Sequence, residues 1–393
     1  MTPSEKEPAK VRATDAVGRM PALDGLRGIA ILLVMFHHFQ IIAPGQGVQA
    51  VLFHLSEFGP HGVDLFFVLS GFLITGILLD SRQHSHYFRN FYARRTLRIF
   101  PLYYLVVALS VLVLPAAIAA VPAASAKLAR FATTASDWPW YVFYLSNFLI
   151  AKTGEWRHPV LGVTWSLAIE EQFYLVWAVV VFFLVRRRVE SLALALVALS
   201  LIIRAALLYS GASWITAYVI TPCRFDAIGL GAFLAAAMGG PESAWEALGR
   251  ISRWVAWLGT PLLLGLYGAG VWAYEDPATM IYGYTPVALV CSAWLRLALA
   301  PHAHPVIAAS LGNGALRFFG KYSYSIYLIH LPLRAAIRDT IFAAAKTHSA
   351  LGSGLVYQFV FYGAATAALV PLALLSWNLL ESPILSLKRF FPQ

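Results

Sequence analysis

Apolar runs of about 20 residues recur along the chain and are separated by short polar gaps. A helix needs about 20 apolar residues to cross the hydrocarbon core of a bilayer, so each such run is a candidate transmembrane helix. The pattern predicts an all-α, polytopic membrane bundle of about ten transmembrane helices, at residues 23–43, 61–80, 98–117, 165–185, 191–209, 215–238, 252–274, 281–300, 321–340 and 355–380.

One apolar segment is too short for this pattern. Residues 140–151, WYVFYLSNFLIA, number 12, which is typical of an interfacial or re-entrant piece. Counting the segment as a crossing would place Arg186, Arg187 and Arg188 outside the cell, against the positive-inside rule. We therefore predict that residues 140–151 lie at the outer face of the membrane.

Composition supports the same class of protein. Hydrophobic residues make up 59% of the chain and charged residues 12%, whereas a soluble globular chain carries about 25% charged residues. Residues 1–20 are polar and lack the short apolar core of a cleaved signal peptide. We predict a disordered cytoplasmic tail at 1–20, followed by one membrane-embedded domain at 21–393 in a bacterial inner membrane.

The formal net charge of +10 follows from lysines and arginines that lie mostly in the gaps between apolar runs. The positive-inside rule places such residues on the cytoplasmic side, so the charge implies no nucleic-acid partner. Arg94, Arg187 and Lys388 all fall on one side under the ten-helix count. Both termini are therefore predicted to be cytoplasmic.

The two cysteines, Cys223 and Cys291, fall inside predicted spans and suggest neither a disulfide framework nor a metal cluster. We expect no metal site and no permanently bound cofactor. The chain has no convincing internal repeat, which weakens the inverted-repeat architecture of many secondary transporters.

The first span carries a basic residue and two histidines. Arg27 and His38 are eleven residues apart, which leaves them within about 20° of one helix face and separated by about 16 Å along the axis. His37 points about 80° away from that face. Such a pair would hold an anionic group near the cytoplasmic surface and present a base deeper in the membrane. Alternatively, Arg27 reaches the lipid headgroups and His38 is a packing residue.

The gap after the second span contains FYARRTLRIFP, in which Arg95 and Arg98 are helical neighbours at i and i+3. Guanidinium groups bind phosphate through two hydrogen bonds at once, so a close pair suits a nucleotide diphosphate. The alternative is that these arginines only set the topology, because cytoplasmic loops collect positive charge.

Ionisable residues within spans are energetically unfavourable and are often functional. The fourth span begins TWSLAIEEQFYL, with Glu170 the first of two adjacent carboxylates. In the ninth span, Tyr327 and His330 share a helix face. Asp64, near the outer end of the second span, either supports His38 or makes a structural hydrogen bond.

In this order, these motifs resemble the acyltransferase-3 family of integral membrane acyltransferases, over nearly the whole chain. Five segments carry the resemblance: LDGLRGIAILLVMFHH, GVDLFFVLSGFLIT, RRTLRIFP, TWSLAIEEQFYL and YSYSIYLIH. The family's basic residue and histidine, its Arg-x-x-Arg pair, its glutamate and its late histidine fall on Arg27, His38, Arg95, Arg98, Glu170 and His330.

The resemblance implies a membrane O-acyltransferase that takes an acyl group, by default acetyl, from cytoplasmic acyl-coenzyme A. The acceptor would be a hydroxyl of a carbohydrate, a glycolipid or a glycosylated metabolite. Many members carry a fused SGNH-type hydrolase domain after the membrane part. We expect none here, because the sequence ends soon after Glu381, and a partner would then be a separate protein.

On this basis we assign each candidate residue a role in acyl transfer. A base activates the acceptor hydroxyl, a carboxylate orients that base, and cations bind the phosphates of coenzyme A. We assign the base to His38 and the orienting carboxylate to Asp64 or Glu170. Arg27, Arg95 and Arg98 are assigned to the phosphates, and Tyr327 and His330 to substrate binding. Whether His38 becomes acylated or acts only as a base stays open.

Two other classes of protein have a similar composition. A polytopic transporter or a flippase for a glycan or lipid-linked sugar would also place His, Glu and Arg inside spans. The other large family of membrane-bound O-acyltransferases is disfavoured, because its asparagine and late-histidine pattern is not evident in this sequence.

Overall fold

The computed structural model describes residues 21–120, 136–300, 305–340 and 354–392, and the predicted tail at 1–20 lies outside them. Within these ranges the chain forms helices and no strand, so the all-α prediction is confirmed there. In chain order the α-helices are α1 Pro21–His38, α2 Val48–Ser56, α3 Gly62–Ser81, α4 Tyr87–Ala108, α5 Leu114–Ala120, α6 Trp138–Val142, α7 Ser146–Thr153, α8 Thr164–Phe183, α9 Arg186–Tyr209, α10 Trp214–Val219, α11 Phe225–Met238, α12 Glu242–Gly268, α13 Pro277–Tyr282, α14 Tyr284–Ala298, α15 Pro305–Leu311, α16 Gly314–Lys321, α17 Ser323–Thr340, α18 Gly354–Ser376 and α19 Ser382–Leu385.

Several helices have the length and apolar character of membrane spans. Large apolar side chains such as Leu175, Phe183 and Ile202 point out of the bundle and are more than half exposed, as lipid-facing residues are. Among the described residues, five helical stretches are long and apolar enough to cross a membrane: Val48–Ser81, Tyr87–Ala116, Thr164–Phe183, Arg186–Tyr209 and Gly354–Phe390.

The predicted span 215–238 is not one helix. It is divided into α10 and α11 by a 3-10 turn at Thr221–Arg224, and Ile220 before the turn is extended, with φ −75° and ψ 134°. Pro222 lies in this turn and has no N–H to continue an α-helical hydrogen-bond ladder. The prediction of a continuous helix there was wrong, and the break leaves Arg224 fully buried in the bundle.

The short segment 140–151 forms parts of two helices, α6 of 5 residues and α7 of 8 residues. Tyr144, in the turn between them, has a positive φ of 54°. Each helix is far shorter than the roughly 20 residues of a membrane crossing.

Helix α3 lies at the centre of the bundle and packs against α1, α8, α11 and α14. The closest approach is to α11, where Gly71 faces the carbonyl oxygen of Ile228 and Gly231 faces that of Val68. A Cβ atom at either glycine would overlap that oxygen, because small residues are what allow two helix backbones to approach so closely. This packing fixes the helix that lines the candidate site.

The bundle has two chemically different ends. Helices α1 and α17 run in the same direction, since Gly320, just before α17, packs on the backbone of Asp24 and His330 reaches His38. Arg27 therefore lies toward one end, here called the arginine end. His38 lies about 16 Å further along α1, toward what we call the histidine end.

Candidate active site

His38 and His330 form a hydrogen-bonded pair. His38 Nδ1 lies 2.8 Å from His330 Nε2, and His330 Nδ1 lies 2.7 Å from the carbonyl oxygen of Tyr327. His330 is fully buried. The two histidines are 292 residues apart in sequence, so this pair exists only because α1 and α17 lie side by side.

The hydrogen bonds determine which nitrogen of each neutral ring carries the proton. A carbonyl oxygen only accepts, so His330 Nδ1 donates to Tyr327 and the lone pair of His330 lies on Nε2. His38 Nδ1 must then donate to His330 Nε2. The lone pair of His38 therefore lies on its Nε2, which has no hydrogen-bond partner among the described residues and is available to take a proton.

The neighbouring His37 has different surroundings. Its Nδ1 lies 3.1 Å from the carbonyl oxygen of Ser56 and 3.9 Å from Glu57 Oε1, and its ring packs edge-on against Tyr274. The different partners of His37 and His38 agree with the helical-wheel prediction that the two side chains point in different directions.

A cavity of about 230 Å³ opens from the arginine end, and we call it the arginine cavity. Its lining residues on α3 run from Val63 to Ile77, a distance of about 21 Å along that helix. Most of the predicted site residues line it. They are Arg27, Arg95, Arg98, Glu170 and Tyr327.

Tyr327 lines the end of the arginine cavity that is nearer to the histidine pair. Its hydroxyl lies 2.7 Å from the hydroxyl of Ser166, and its ring centre lies 5.7 Å from that of His330. Beyond the two histidines lies a second cavity of about 710 Å³, which we call the histidine cavity. It is lined by His38 and by Arg334 among other polar residues. The histidine pair therefore lies between the two cavities.

The structure does not bring the two predicted carboxylates to His38. Asp64 is bound by Arg224 and lies 2.7 Å from His61 Nδ1. Glu170 lines the arginine cavity, on the far side of Tyr327. The hydrogen-bond partner of His38 is instead His330, which sequence reasoning assigned to substrate binding.

The ion pair of Asp64 is part of a closed structural network. The guanidinium of Arg224 is surrounded by the rings of Phe67, Trp165, Tyr218 and Tyr284, with centres 5.0 to 5.9 Å away. Cation–π contacts of this kind stabilise a desolvated guanidinium. The interpretation of Asp64 as a structural hydrogen-bonding residue, left open by the sequence, fits these partners.

Sequence reasoning assigned no site role to several residues that line the arginine cavity, among them Ser166, Arg94 and Lys388. Arg94 and Lys388 were considered only as topology signals. Arg94 directly precedes Arg95 in the sequence, and this position next to the Arg95 and Arg98 pair could have indicated a role in the same site. Nothing in the sequence connects Lys388 to a site on α4, because the two are almost 300 residues apart.

Among the described residues, no group of three or more His, Cys, Asp or Glu side chains is arranged to hold a metal ion. The site brings together the hydrogen-bonded histidine pair and a group of cations that line the arginine cavity.

Comparison with known proteins identifies relatives over most of the chain. O-acetyltransferase OatA of Staphylococcus aureus is 28% identical over 391 residues, covering 93% of this chain and 57% of that protein. The putative peptidoglycan O-acetyltransferase YrhL of Bacillus subtilis is 27% identical over 381 residues, covering 93% of this chain and 55% of that protein. Peptidoglycan O-acetyltransferase OatA of Listeria monocytogenes is 33% identical over 168 residues, covering 40% of this chain and 23% of that protein.

The chain thus spans a little over half the length of these relatives from Staphylococcus aureus and Bacillus subtilis. No solved structure matches it. The acyltransferase-domain family, acyltransferase 3, matches residues 20–375, which include both histidines and all of the predicted site residues. This chain therefore belongs to the acyltransferase 3 family of multi-pass membrane proteins.

Proposed function

We propose that this protein is a membrane O-acyltransferase that moves an acyl group, in the simplest case acetyl, from acyl-coenzyme A to a hydroxyl of a carbohydrate acceptor. The observation that carries the proposal is the position of His38. One ring nitrogen is held by His330, the other is available, and the pair lies between the arginine cavity and the histidine cavity.

In the proposed reaction, His38 Nε2 takes the proton of the acceptor hydroxyl as its oxygen attacks the thioester carbonyl. The carbon–sulfur bond then breaks, and the leaving thiolate takes the proton from His38 to give free coenzyme A. General base catalysis of this kind contributes about 10²–10⁴-fold to a rate. His330 holds the imidazole in the tautomer that the reaction needs.

The donor is proposed to bind in the arginine cavity, with Arg27, Arg95 and Arg98 on its phosphates. Guanidinium groups bind phosphate with geometric specificity. The cavity extends about 21 Å along α3, which suits the long pantetheine arm of coenzyme A, and it ends at Tyr327 next to the histidine pair.

The acceptor is proposed to enter through the histidine cavity from the opposite side of the membrane. The relatives from Bacillus and Listeria are described as acting on peptidoglycan, a glycan. A glycan hydroxyl is therefore the acceptor to test first. Mass spectrometry of envelope glycans from a deletion strain would detect the loss of an acyl group from the true acceptor.

For the topology we propose ten transmembrane helices, with both termini cytoplasmic and one membrane-embedded domain from residue 21 onward. Each predicted span overlaps at least one described helix, and 98–117, 215–238, 281–300 and 321–340 each overlap two. Labelling of single cysteines should find positions near Arg187 inside the cell and positions near Gly154 outside. Both positions on one side would contradict this topology.

The activity is tested with purified protein in lipid nanodiscs, given acetyl-coenzyme A with and without glycan fragments. The protein should release free thiol and acetylate the glycan, and His38→Ala should do neither. An intact thioester, together with movement of the glycan across a vesicle membrane, would instead identify a transporter.

A second arm separates the donor from the reaction class. Acetylation of the glycan from an activated ester such as p-nitrophenyl acetate, without thiol release from acetyl-coenzyme A, would retain the acyltransferase and overturn the proposed donor. Mass spectrometry of protein incubated with donor alone would reveal an acyl group on His38 if transfer proceeds through a covalent intermediate.

A further inference from the structure

Residues 382–392, which we call the closing segment, pack against α4 and contribute Lys388 to the lining of the arginine cavity. The guanidinium of Arg94 donates to the carbonyl oxygen of Phe391 at 2.8 Å, and the side-chain amide of Asn90 donates to that of Pro392 at 2.7 Å. Arg94 and Asn90 are one helical turn apart on the same face of α4. These two hydrogen bonds fix the position of the closing segment.

The closing segment adds a cation to the arginine cavity, because Lys388 lines this cavity together with four arginines. The lining contains one carboxylate, that of Glu170. Of the five cations, Arg27 alone forms an ion pair within the described residues, with Asp24 at 2.9 Å. Like charges held close together repel each other at low dielectric. An anion with several charges would relieve that repulsion.

Lys388 lies at the end of the cavity that the arginines of α4 line. Its own carbonyl oxygen is 3.5 Å from the guanidinium of Arg94, and Arg94 lies one turn, about 6 Å, before Arg98 on α4. Tyr327 lines the opposite end, next to His330. If the thioester of a bound ligand lies at Tyr327, the part of the ligand farthest from its sulfur therefore lies near Lys388.

We propose that Lys388 binds the phosphate of the donor that is farthest from the thioester, and that Arg94 and Asn90 hold it there through the closing segment. This inference rests on the proposed donor. In coenzyme A the remote phosphate is the one on the ribose, which dephospho-coenzyme A lacks. Lys388 lies beyond residue 375, where the match to the family ends.

The test compares the binding of coenzyme A and dephospho-coenzyme A to the full chain in nanodiscs of zwitterionic lipid. The wild type should bind coenzyme A about tenfold more tightly, as expected for one charged hydrogen bond. Lys388→Gln should remove that preference and bind the two ligands equally. The matched control is Arg389→Gln, an equal change of charge at an exposed neighbour that packs on Phe390, and it should retain the preference.

Three further measurements make the result decisive. Lys388→Arg should keep the preference for coenzyme A that Lys388→Gln loses. The melting temperatures of both variants should match that of the wild type, which excludes a loss of folding as the cause. Lys388→Gln with the wild-type preference would overturn the inference while leaving the donor proposal standing. A wild type that binds no coenzyme A would overturn both. If anionic lipid abolishes the effect of Lys388→Gln, then Lys388 binds a lipid headgroup and the inference is wrong.

Discussion

Two groups of charged residues lie beside α3, and they differ in burial and in whether the charges are paired. In the network around α11, Asp64 is bound by Arg224, and Arg204 donates to Asp226 at 2.9 Å. In the arginine cavity, Arg95 and Arg98 form no ion pair with a carboxylate within the described ranges.

The difference fits a structural role for the paired charges and the proposed donor-binding role for the unpaired ones. Removing one partner of a buried pair leaves the other uncompensated, so the α11 network is essential to stability. Unpaired guanidinium groups that line a cavity leave their hydrogen-bond donors available to an anion. A buried charge in a membrane span is therefore a sign of function mainly when its partner is missing.

The largest effect is expected from a substitution of the proposed base, His38, which belongs to neither group of charges. His38→Ala should lower the rate of transfer by about 10²–10⁴-fold, because the general base is lost. The melting temperature should stay close to that of the wild type. His37→Ala is the matched control and should keep most of the activity, since His37 interacts with Ser56 and not with His330. An active His38→Ala alongside an inactive His37→Ala would mean that the wrong neighbour was chosen.

The second prediction breaks the paired network. Arg224→Met should lower the free energy of unfolding by about 3–5 kcal/mol, since Asp64 would be left buried without its cation. Thermal unfolding in detergent measures the loss. The double variant Arg224→Met with Asp64→Asn should recover part of it, because neither charge is then left alone. Wild-type stability in Arg224→Met, with activity lost, would move this network from the fold to the chemistry.

The third prediction concerns the unpaired group. Arg98→Lys keeps the charge and the topology signal but loses the geometry of a guanidinium. The affinity for acyl-coenzyme A should fall by about 1.5–3 kcal/mol, the range for a hydrogen bond to a charged group. Acceptor affinity and melting temperature should hardly change.

Titration with coenzyme A checks the third prediction, and Arg95→Lys serves as a second probe of the same cavity. Unchanged donor affinity in both variants would mean that these arginines only anchor the topology. The difference between the paired and unpaired groups would then carry no functional meaning.

The helices were largely predictable because the thickness of the bilayer sets the length of each apolar run. Helix α8, Thr164–Phe183, matches the predicted span 165–185 almost residue for residue. The break at Thr221–Arg224 was not predicted, because largely apolar stretches flank it on both sides, at 215–220 and 227–238, and together have the length of one span. Pro222 was the local signal for that break.

For the site, local spacing succeeded and distant pairing failed. Arg95 and Arg98 line one cavity because residues at i and i+3 share a helix face whatever the tertiary fold. The support for His38 was sought in Asp64 on grounds of depth alone, but helix packing gives that carboxylate to Arg224. Which helices are neighbours is decided by packing across the whole chain, and no local pattern encodes it.

The smallest expected effect tests the pair that only the structure revealed. His330 accepts one hydrogen bond from His38, and losing it should lower kcat by up to about tenfold, as for a hydrogen bond of 0.5–1.5 kcal/mol. His330→Leu should show this loss with the KM of both substrates unchanged, because His330 positions the base and does not touch the reacting atoms. His330→Gln offers a carbonyl oxygen to the same nitrogen and should retain more activity than His330→Leu. Equal activity in the two variants, or a loss expressed in KM, would assign His330 to packing or to substrate binding, the role that the sequence first suggested.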